Sequence, residues 1–302
     1  MSSCCRQGSL LGPLLFLLAS SDVLDVLALS TAYADDTTSA AEDEVVAQSE
    51  ICALESVSAS VGLTLNGAKT QMLVIGSKNS DLSLVVDGDI VRPGNTLEIL
   101  GFCLDYKLGT GVYLDKLHAD LRKSLGILRM LRYRVSKEEM RDFAYGILMG
   151  RLTTYVSNCI VVRTTPEEPV NGRAAALQVI LNDLARLRTG KHRSDHIKLE
   201  DLLHDARVPS VNQLVARGAL SLMWTAMVGG NGPLVPVLSA LLPASNTRAA
   251  NSGKLNTPAG SNAIVISGCK LWNEHHVKLR SIKTRKSLKT FITKEVWKTL
   301  PI

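Results

Sequence analysis

The chain has 302 residues, a net charge of +6 and 46% hydrophobic residues. This length and hydrophobic content exclude a fully disordered protein and allow one large core or two modest domains. The basic charge is compatible with a polyanionic partner.

The first predicted element is an apolar helix that begins near Pro13. Gly12-Pro13 suits a helix start, because proline is tolerated at the first helical position. The apolar run over residues 10–19 is too short to span a bilayer, although it imitates a secretory signal peptide. We predict a buried helix in an intracellular protein of the cytoplasm or nucleus, with no membrane segment. A signal peptide is the alternative interpretation.

Tyr33-Ala34-Asp35-Asp36 is the most informative stretch of the chain. It lies between two short β-compatible runs. A plain strand sends neighbouring side chains to opposite faces, whereas a tight turn exposes both acids, so the pattern predicts a hairpin with Asp35 and Asp36 at its tip. Carboxylates held there suit Mg²⁺, which takes a few carboxylates plus substrate phosphates. A solvated turn is the plain alternative.

The remainder of residues 1–110 is typical of an α/β region. Acids at residues 42–44 complement the start of a helix, and Gly62 is expected to end it. Residues 72–75 and 97–104 are each predicted to form one strand. Asp87-Gly88 predicts a hairpin, because this pair supplies the positive φ angles of a type I′ turn.

Residues 111–165 are predicted to be helical, and they carry basic side chains. Leucines recur at helical spacing between residues 114 and 128, and Ser136 with Glu139 forms a capping box that predicts the start of a second helix. The basic face is either solvated or follows a nucleic-acid backbone. Its candidate contact residues are Arg122, Lys123, Arg129 and Arg132.

The last three regions are a helical region over residues 166–243, a flexible linker over residues 244–262 and a basic tail over residues 263–302. Helices are predicted over residues 173–187 and 211–228. The linker is rich in Ser, Asn, Thr, Gly and Ala. Six cysteines are scattered without a Cys-x-x-Cys pair, which favours reduced thiols over disulfides or a zinc site.

Four segments together resemble a known enzyme family. They are Arg-Gln-Gly-Ser-Leu-Leu-Gly-Pro-Leu-Leu-Phe at residues 6–16, Tyr-Ala-Asp-Asp at residues 33–36, Gly-Leu-Thr-Leu-Asn-Gly-Ala-Lys-Thr at residues 62–70 and Ile-Leu-Gly-Phe at residues 99–102. In this order and spacing they resemble the second half of a reverse transcriptase domain. The closest resemblance is to non-LTR (LINE-type) retrotransposons of the jockey and CR1-like neighbourhood.

The resemblance implies an RNA-directed DNA polymerase that performs two-metal nucleotidyl transfer. The implied fold is an α/β palm-type polymerase fragment over residues 1–110, followed by a mainly α-helical thumb and C-terminal region. The implied partners are an RNA template, a DNA primer and deoxynucleoside triphosphates. Mg²⁺ or Mn²⁺ is the implied cofactor, without a small-molecule cofactor.

The resemblance also assigns roles to particular residues. Asp35 and Asp36 would hold the catalytic metals, and Lys69 would approach the triphosphate. The residues implied near the substrates are Gln7 and Gly8 at the template and nucleotide pocket, Tyr33 beside the incoming nucleotide, and Leu100 and Gly101 at the primer terminus.

The family also uses a further aspartate on a strand well before the Gln-Gly motif. Because Met1 stands five residues before Arg6, we expect a chain truncated at its N-terminus and inactive as an isolated polymerase. The alternative is a non-catalytic remnant that acts as a basic nucleic-acid-binding protein.

Overall fold

The structure is a computed structural model that describes residues 10–19, 21, 23, 26, 30–78, 81–230, 234–242, 253–258 and 263–302. The chain divides into two compact units, a first unit of Met1–Tyr113 and a second unit of Leu114–Ile302. This division falls close to residue 110, where the sequence predicts a change from α/β to helical structure.

The first unit combines helices with three antiparallel hairpins. Each hairpin is a separate two-stranded sheet in the described part of the chain. Its elements are α1 (Gly12–Ala19), β1 (Ser30–Tyr33), β2 (Asp36–Ser39), α2 (Glu44–Ser60), a 3₁₀ turn (Gly67–Lys69), β3 (Leu84–Val86), β4 (Asp89–Val91), β5 (Thr96–Ile99) and β6 (Phe102–Asp105). The mixture agrees with the predicted α/β class, and the palm assignment stays a prediction.

Two of the hairpins turn through a pair of consecutive residues in the left-handed region. Asp87 has a φ of 49° and Gly88 a φ of 83°, which confirms the type I′ turn predicted between β3 and β4. Leu100 and Gly101 have φ angles of 51° and 80°. The prediction of one strand over residues 97–104 is therefore wrong, because this second turn reverses the chain between β5 and β6.

Helix α2 begins and ends as its sequence predicts. The Val46 N–H donates a hydrogen bond of 2.8 Å to Asp43 Oδ1, so the acidic stretch supplies the N-cap. The helix ends at Ser60, and Gly62 follows in the left-handed conformation with a φ of 75°. The expected termination by glycine is therefore confirmed.

The free edge of β3 is covered by side chains of α2. The Val85 N–H donates to Gln48 Oε1 at 2.8 Å, and Gln48 Nε2 donates to the Val85 carbonyl at 2.9 Å. The amide of Gln48 thus takes the place of a neighbouring strand, which protects an edge that would otherwise offer unpaired backbone groups. Two further backbone donors beside Val85 are capped in the same way, the Ser83 N–H by Glu44 and the Asp87 N–H by Glu55.

Two other predictions for the first unit are wrong. Residues 72–75 form no strand, since Met72 makes only an isolated bridge to Pro93, and a proline cannot donate to a ladder.

Helix α1 starts where predicted but is not buried. Leu14 and Leu18 expose 55% and 65% of their surface, because the apolar residues surround the helix and the described part of the chain leaves them uncovered.

The regular elements in the described part of the second unit are all helical, and the first of these helices begins at Gly111. The elements are α3 (Gly111–Leu131), α4 (Lys137–Ala144), a π turn (Tyr145–Met149), α5 (Gly150–Cys159), α6 (Gly172–Thr189), a 3₁₀ turn (Arg193–Asp195), α7 (Leu199–Ala206), α8 (Val211–Met227), α9 (Val235–Ala240), α10 (Ala263–Ser281), α11 (Arg285–Phe291), a π turn (Ile292–Val296) and α12 (Trp297–Thr299). Helices α6 and α8 confirm the two predicted over residues 173–187 and 211–228.

The predicted capping box lies at the start of α4. The Glu139 N–H donates to Ser136 Oγ at 3.2 Å, and the Ser136 N–H donates to Glu139 Oε2 at 2.9 Å. These bonds hold the pKa of Glu139 below its ordinary value. The second helix therefore begins where the sequence predicts.

The core of the second unit centres on the packing of α8 against α10. Leu220 and Trp272 are fully buried there. Small residues allow the close approach of these helices, since a Cβ added at Gly268 would lie 2.6 Å from Met223 Cε. Burial also raises the pKa of the Cys269 thiol to about 11, so this cysteine remains a neutral core residue.

The C-terminal residues contribute to this core. Leu255 is buried, and its backbone N–H and carbonyl bond to the Asn273 side chain at 2.7 and 2.9 Å. Trp272 Nε1–H donates to the Gly253 carbonyl at 3.2 Å. The described piece of the predicted linker, residues 253–258, is therefore held on α10, and the basic tail supplies core residues.

The described cysteines form no disulfide with one another: Cys52, Cys103, Cys159 and Cys269. Within the described ranges, no helix combines the length and the apolar character needed to cross a bilayer.

Candidate functional site

The Tyr33–Asp36 stretch forms the tip of the β1–β2 hairpin. Tyr33 pairs with Asp36 across the end of the ladder, and Ala34 and Asp35 form the two-residue connection. Ala34 has a φ of 55°, which is the left-handed conformation that two-residue hairpin turns require at their first central position. The hairpin predicted with both acids at its tip is confirmed.

The two carboxylates at this tip are accessible. Asp35 and Asp36 are exposed, and Tyr33 exposes 68% of its surface. Neither aspartate side chain forms a hydrogen bond or ion pair with the described part of the chain. Within the described residues, their oxygen atoms are therefore available to a cation.

The chemistry of these donors fits Mg²⁺ or Mn²⁺. Hard cations of this kind bind carboxylate oxygen and retain sites for water or substrate phosphate. Asp35 and Asp36 provide two such groups, and the described residues contain no cluster of three or more His, Cys, Asp or Glu side chains arranged around one point. Asp35 and Asp36 are therefore the residues of this hairpin that could hold such a cation.

Lys69 ends the 3₁₀ turn that follows α2. Asn66 caps this turn by accepting a hydrogen bond of 3.1 Å from the Lys69 N–H. Gly67 lies so close to β3 that an added Cβ would be 2.5 Å from the Val86 carbonyl oxygen, which fixes the turn against the β3–β4 hairpin. The Lys69 side chain is exposed, and no described hydrogen bond or ion pair joins it to either aspartate.

The remaining palm candidates are distributed differently. Leu100 and Gly101 form the β5–β6 turn, where Leu100 exposes 46% of its surface. Gln7 and Gly8 lie outside the described residues. The described candidates of the first unit thus fall in three places: Tyr33, Asp35 and Asp36 at the β1–β2 tip, Lys69 at the 3₁₀ turn, and Leu100 and Gly101 at the β5–β6 turn.

The four basic candidates lie on α3 or directly after it. Arg122 and Lys123 are exposed on the helix, with Lys123 Nζ 3.8 Å from Asp120. The Arg132 guanidinium lies 4.9 Å from the centroid of the Tyr133 ring, at the exposed end of α3. Exposed cations and an exposed aromatic ring are compatible with a nucleic-acid contact.

The fourth, Arg129, has a partner that the sequence does not reveal. Arg129 Nη2 donates to Asp183 Oδ2 at 2.7 Å, and Arg193 also binds this carboxylate, at 2.9 Å. Asp183 is the sole acid in α6 and only 12% of its side chain is exposed. An isolated acid among apolar and basic residues is the signal that could have pointed to this ion pair.

Comparison with known proteins finds one family match, and it falls in the first unit. Residues 1–104 match the family described as reverse transcriptase (RNA-dependent DNA polymerase). The match contains the Tyr33–Asp36 hairpin, Lys69 and the β5–β6 turn, and it indicates a reverse transcriptase-type RNA-directed DNA polymerase domain. Such domains act on nucleic-acid templates and primers with nucleotide substrates, and generally use divalent metals. No curated protein and no solved structure matches the chain.

Proposed function

We propose that the β1–β2 hairpin carries metal ligands of an RNA-directed DNA polymerase from a non-LTR (LINE-type) retrotransposon. The observation that carries the proposal is a pair of exposed aspartates at a hairpin tip, without a partner among the described residues and within the span that matches the reverse transcriptase family. Asp35 and Asp36 would hold Mg²⁺ or Mn²⁺. When bound, such ions neutralise charge on the substrate phosphates and align the attacking and leaving oxygens.

The other residues of this region act by position and charge. Tyr33, exposed beside the acids, borders the incoming nucleotide and the primer end. Lys69 offers a cation, or a proton donor, to the triphosphate. Both actions follow the general logic of phosphoryl transfer, in which catalysis is mainly positioning and electrostatic stabilisation.

Four further residues complete the proposed substrate contacts. Gln7 and Gly8 approach the template and the nucleotide, and the Leu100–Gly101 turn supports the primer terminus.

The metal set also needs at least one carboxylate beyond Asp35 and Asp36, because two side chains leave most of the coordination sphere to water. A strand outside the described residues would provide it.

Primer extension on an RNA template with Mg²⁺ or Mn²⁺ tests the proposal. The chain is assayed alone and joined to an upstream segment that carries a reverse transcriptase aspartate strand. We expect extension only from the joined protein, and a loss of about a hundred- to a thousandfold in rate with Asp35→Asn or Asp36→Asn. Asp87→Asn is the matched control, since it changes an aspartate in another hairpin turn and Asn-Gly suits that turn.

Two results would overturn the proposal. One is retained extension by the joined Asp35→Asn protein, which would exclude Asp35 as a metal ligand. The other is an equal loss with Asp87→Asn, which would show that the assay reports on folding and not on the metal site.

Binding without catalysis is the second candidate function, and the exposed basic residues of α3 favour it. If these residues contact a phosphate backbone, the affinity for an RNA–DNA hybrid should fall steeply as salt is raised. Arg132→Glu should weaken binding further at low salt. Equal affinity at low and moderate salt would instead make α3 an ordinary solvated helix face.

A further inference from the structure

A cleft of about 450 Å³ lies between α3, α6 and the 3₁₀ turn Arg193–Asp195 of the second unit. This volume lies within the range of about 300–1,000 Å³ that is usual for small-ligand pockets. All of its lining residues belong to the second unit and lie outside the matched residues 1–104.

The floor of the cleft is apolar. Leu125 from α3 and Ile180 from α6 are each 3% exposed, and Val179 beside them exposes 53% of its surface. An exposed valine next to a buried leucine and isoleucine offers a flat apolar surface that a planar ring can cover.

The rim of the cleft is basic and is held in place by one acid. Asp183 binds Arg129 from α3 and Arg193 from the 3₁₀ turn, at 2.7 and 2.9 Å. Each arginine uses only its Nη2 atom for this carboxylate, whereas a guanidinium has five N–H donors. The carboxylate thus orients two guanidinium groups whose other donors remain available for an anion.

A third arginine on the rim has no acidic partner in the part of the chain that the structure describes. Arg122 lines the cleft one turn before Leu125 and makes no hydrogen bond or ion pair with the described residues. Together with Arg129 and Arg193, it gives three cations against the single charge of Asp183. The rim therefore keeps an excess of positive charge directly above the apolar floor.

We propose that this cleft binds a nucleoside phosphate, with the base on the Val179 floor and the phosphate at Arg122, Arg129 and Arg193. An apolar floor with a basic rim matches a ligand that joins a planar ring to an anion. A free nucleotide and one nucleotide of a single strand share this chemistry, and the test separates them. The inference does not rest on polymerase activity.

Isothermal titration of the full chain in EDTA tests the proposal with four probes: inorganic phosphate, adenosine, adenosine 5′-monophosphate and a 12-nucleotide single-stranded RNA. Adenosine 5′-monophosphate should bind more tightly than phosphate or adenosine alone, because only it meets both floor and rim. Arg122→Ala should weaken its binding about ten- to a hundredfold, the value of a hydrogen bond to a charged group. Arg151→Ala, which removes an exposed arginine from α5, should leave it unchanged.

The RNA arm identifies the source of the nucleotide. RNA that binds tightly and is displaced by the mononucleotide indicates a strand-binding site, while mononucleotide binding without RNA binding indicates a site for free nucleotides. Binding of neither probe, or equal loss with Arg122→Ala and Arg151→Ala, overturns the proposal. EDTA removes divalent metal, so failure of the polymerase proposal would not affect these readouts.

The variant Asp183→Asn tests whether the orientation of the arginines, and not positive charge alone, determines binding. The variant raises the positive charge of the cleft by one and releases both arginines from their carboxylate. If Asp183 orients the rim, mononucleotide affinity should fall about tenfold despite the added charge, with helical content unchanged by circular dichroism. Unchanged or tighter binding would show that Asp183 does not orient the arginines for the ligand, and would overturn the proposal.

Discussion

The two units differ in how completely each buries its own apolar surface. Within the described part of the first unit, the buried apolar side chains are Val23, Leu84, Val86, Val91, Cys103 and Tyr113. The second unit has a continuous helical core in which side chains such as Leu181, Leu220 and Trp272 are fully buried. The motif that carries the proposed chemistry thus lies in the unit with the smaller core.

The first unit instead depends more on hydrogen bonds at its turns, helix ends and strand edges. Its three hairpins are two-stranded, and isolated hairpins are marginally stable in water, so turns, caps and the amide of Gln48 contribute a larger share of its order. The second unit depends on helix packing, in which many weak contacts accumulate. A motif held by local bonds is readily recognised in sequence, whereas a packed helical core tolerates exchange among apolar residues.

The largest expected effect is that of Trp272→Ala in the second unit. Trp272 is fully buried and donates to the Gly253 carbonyl, so its truncation should lower the free energy of unfolding by about 3–5 kcal/mol. Urea denaturation measures the change. Val277→Ala is the control on the same helix, because Val277 exposes 74% of its surface and should cost less than about 0.5 kcal/mol. Similar losses for both would contradict a core centred on α10.

A smaller effect is expected from Gln48→Ala in the first unit. The variant loses both hydrogen bonds to Val85, which should destabilise the unit by about 1–2 kcal/mol and speed amide exchange at Val85. Amide hydrogen exchange measures this directly. Ser49→Ala, an exposed neighbour on α2, is the control. Unchanged protection at Val85 would show that another group covers the edge.

The smallest expected effect concerns pH and the second unit. Glu168 accepts hydrogen bonds of 2.9 Å from Lys270 and Thr164. Burial alone would raise the pKa of Glu168, but these bonds outweigh it and hold the pKa below its ordinary value of 4.5. A carboxyl group whose pKa is lower in the folded than in the unfolded protein stabilises the fold at pH values above its unfolded pKa. This stabilisation is lost as the pH falls through its folded pKa.

Glu168→Gln should therefore cost about 1 kcal/mol at pH 7 and flatten the loss of stability below about pH 4.5. Urea titrations between pH 7 and pH 3 measure both quantities. Glu200→Gln, at an exposed position on α7, should keep the original pH dependence. If the unmodified protein and both variants lose stability equally as pH falls, Glu168 does not contribute to the acid dependence.

Features determined by neighbouring residues were predictable from the sequence. The hairpin at Tyr33–Asp36, the Asp87-Gly88 turn and the capping box at Ser136 each depend on fewer than five adjacent residues, and each is present. The Leu100-Gly101 turn was missed because a leucine rarely takes positive φ, so its sequence resembles a strand.

Features that depend on distant residues were not predictable. The ion pair between Arg129 and Asp183 joins residues that are 54 positions apart in the sequence. The hydrogen bond between Gln48 and Val85 joins residues that are 37 positions apart. Such pairs form only after helices and strands have packed, and periodicity within one element contains no information about them. The apolar pattern of α1 likewise predicts burial without showing what would cover it.

The capping of β3 by α2 has a consequence for the growing chain on the ribosome. Helix α2 precedes β3 in the sequence, and synthesis at about 5–20 residues per second leaves at least a second between Ser60 and Leu84. A helix forms within about a microsecond, so Gln48 is available before β3 leaves the exit tunnel. The strand then meets a partner from its own chain before it can pair with a neighbouring nascent chain on the same messenger RNA.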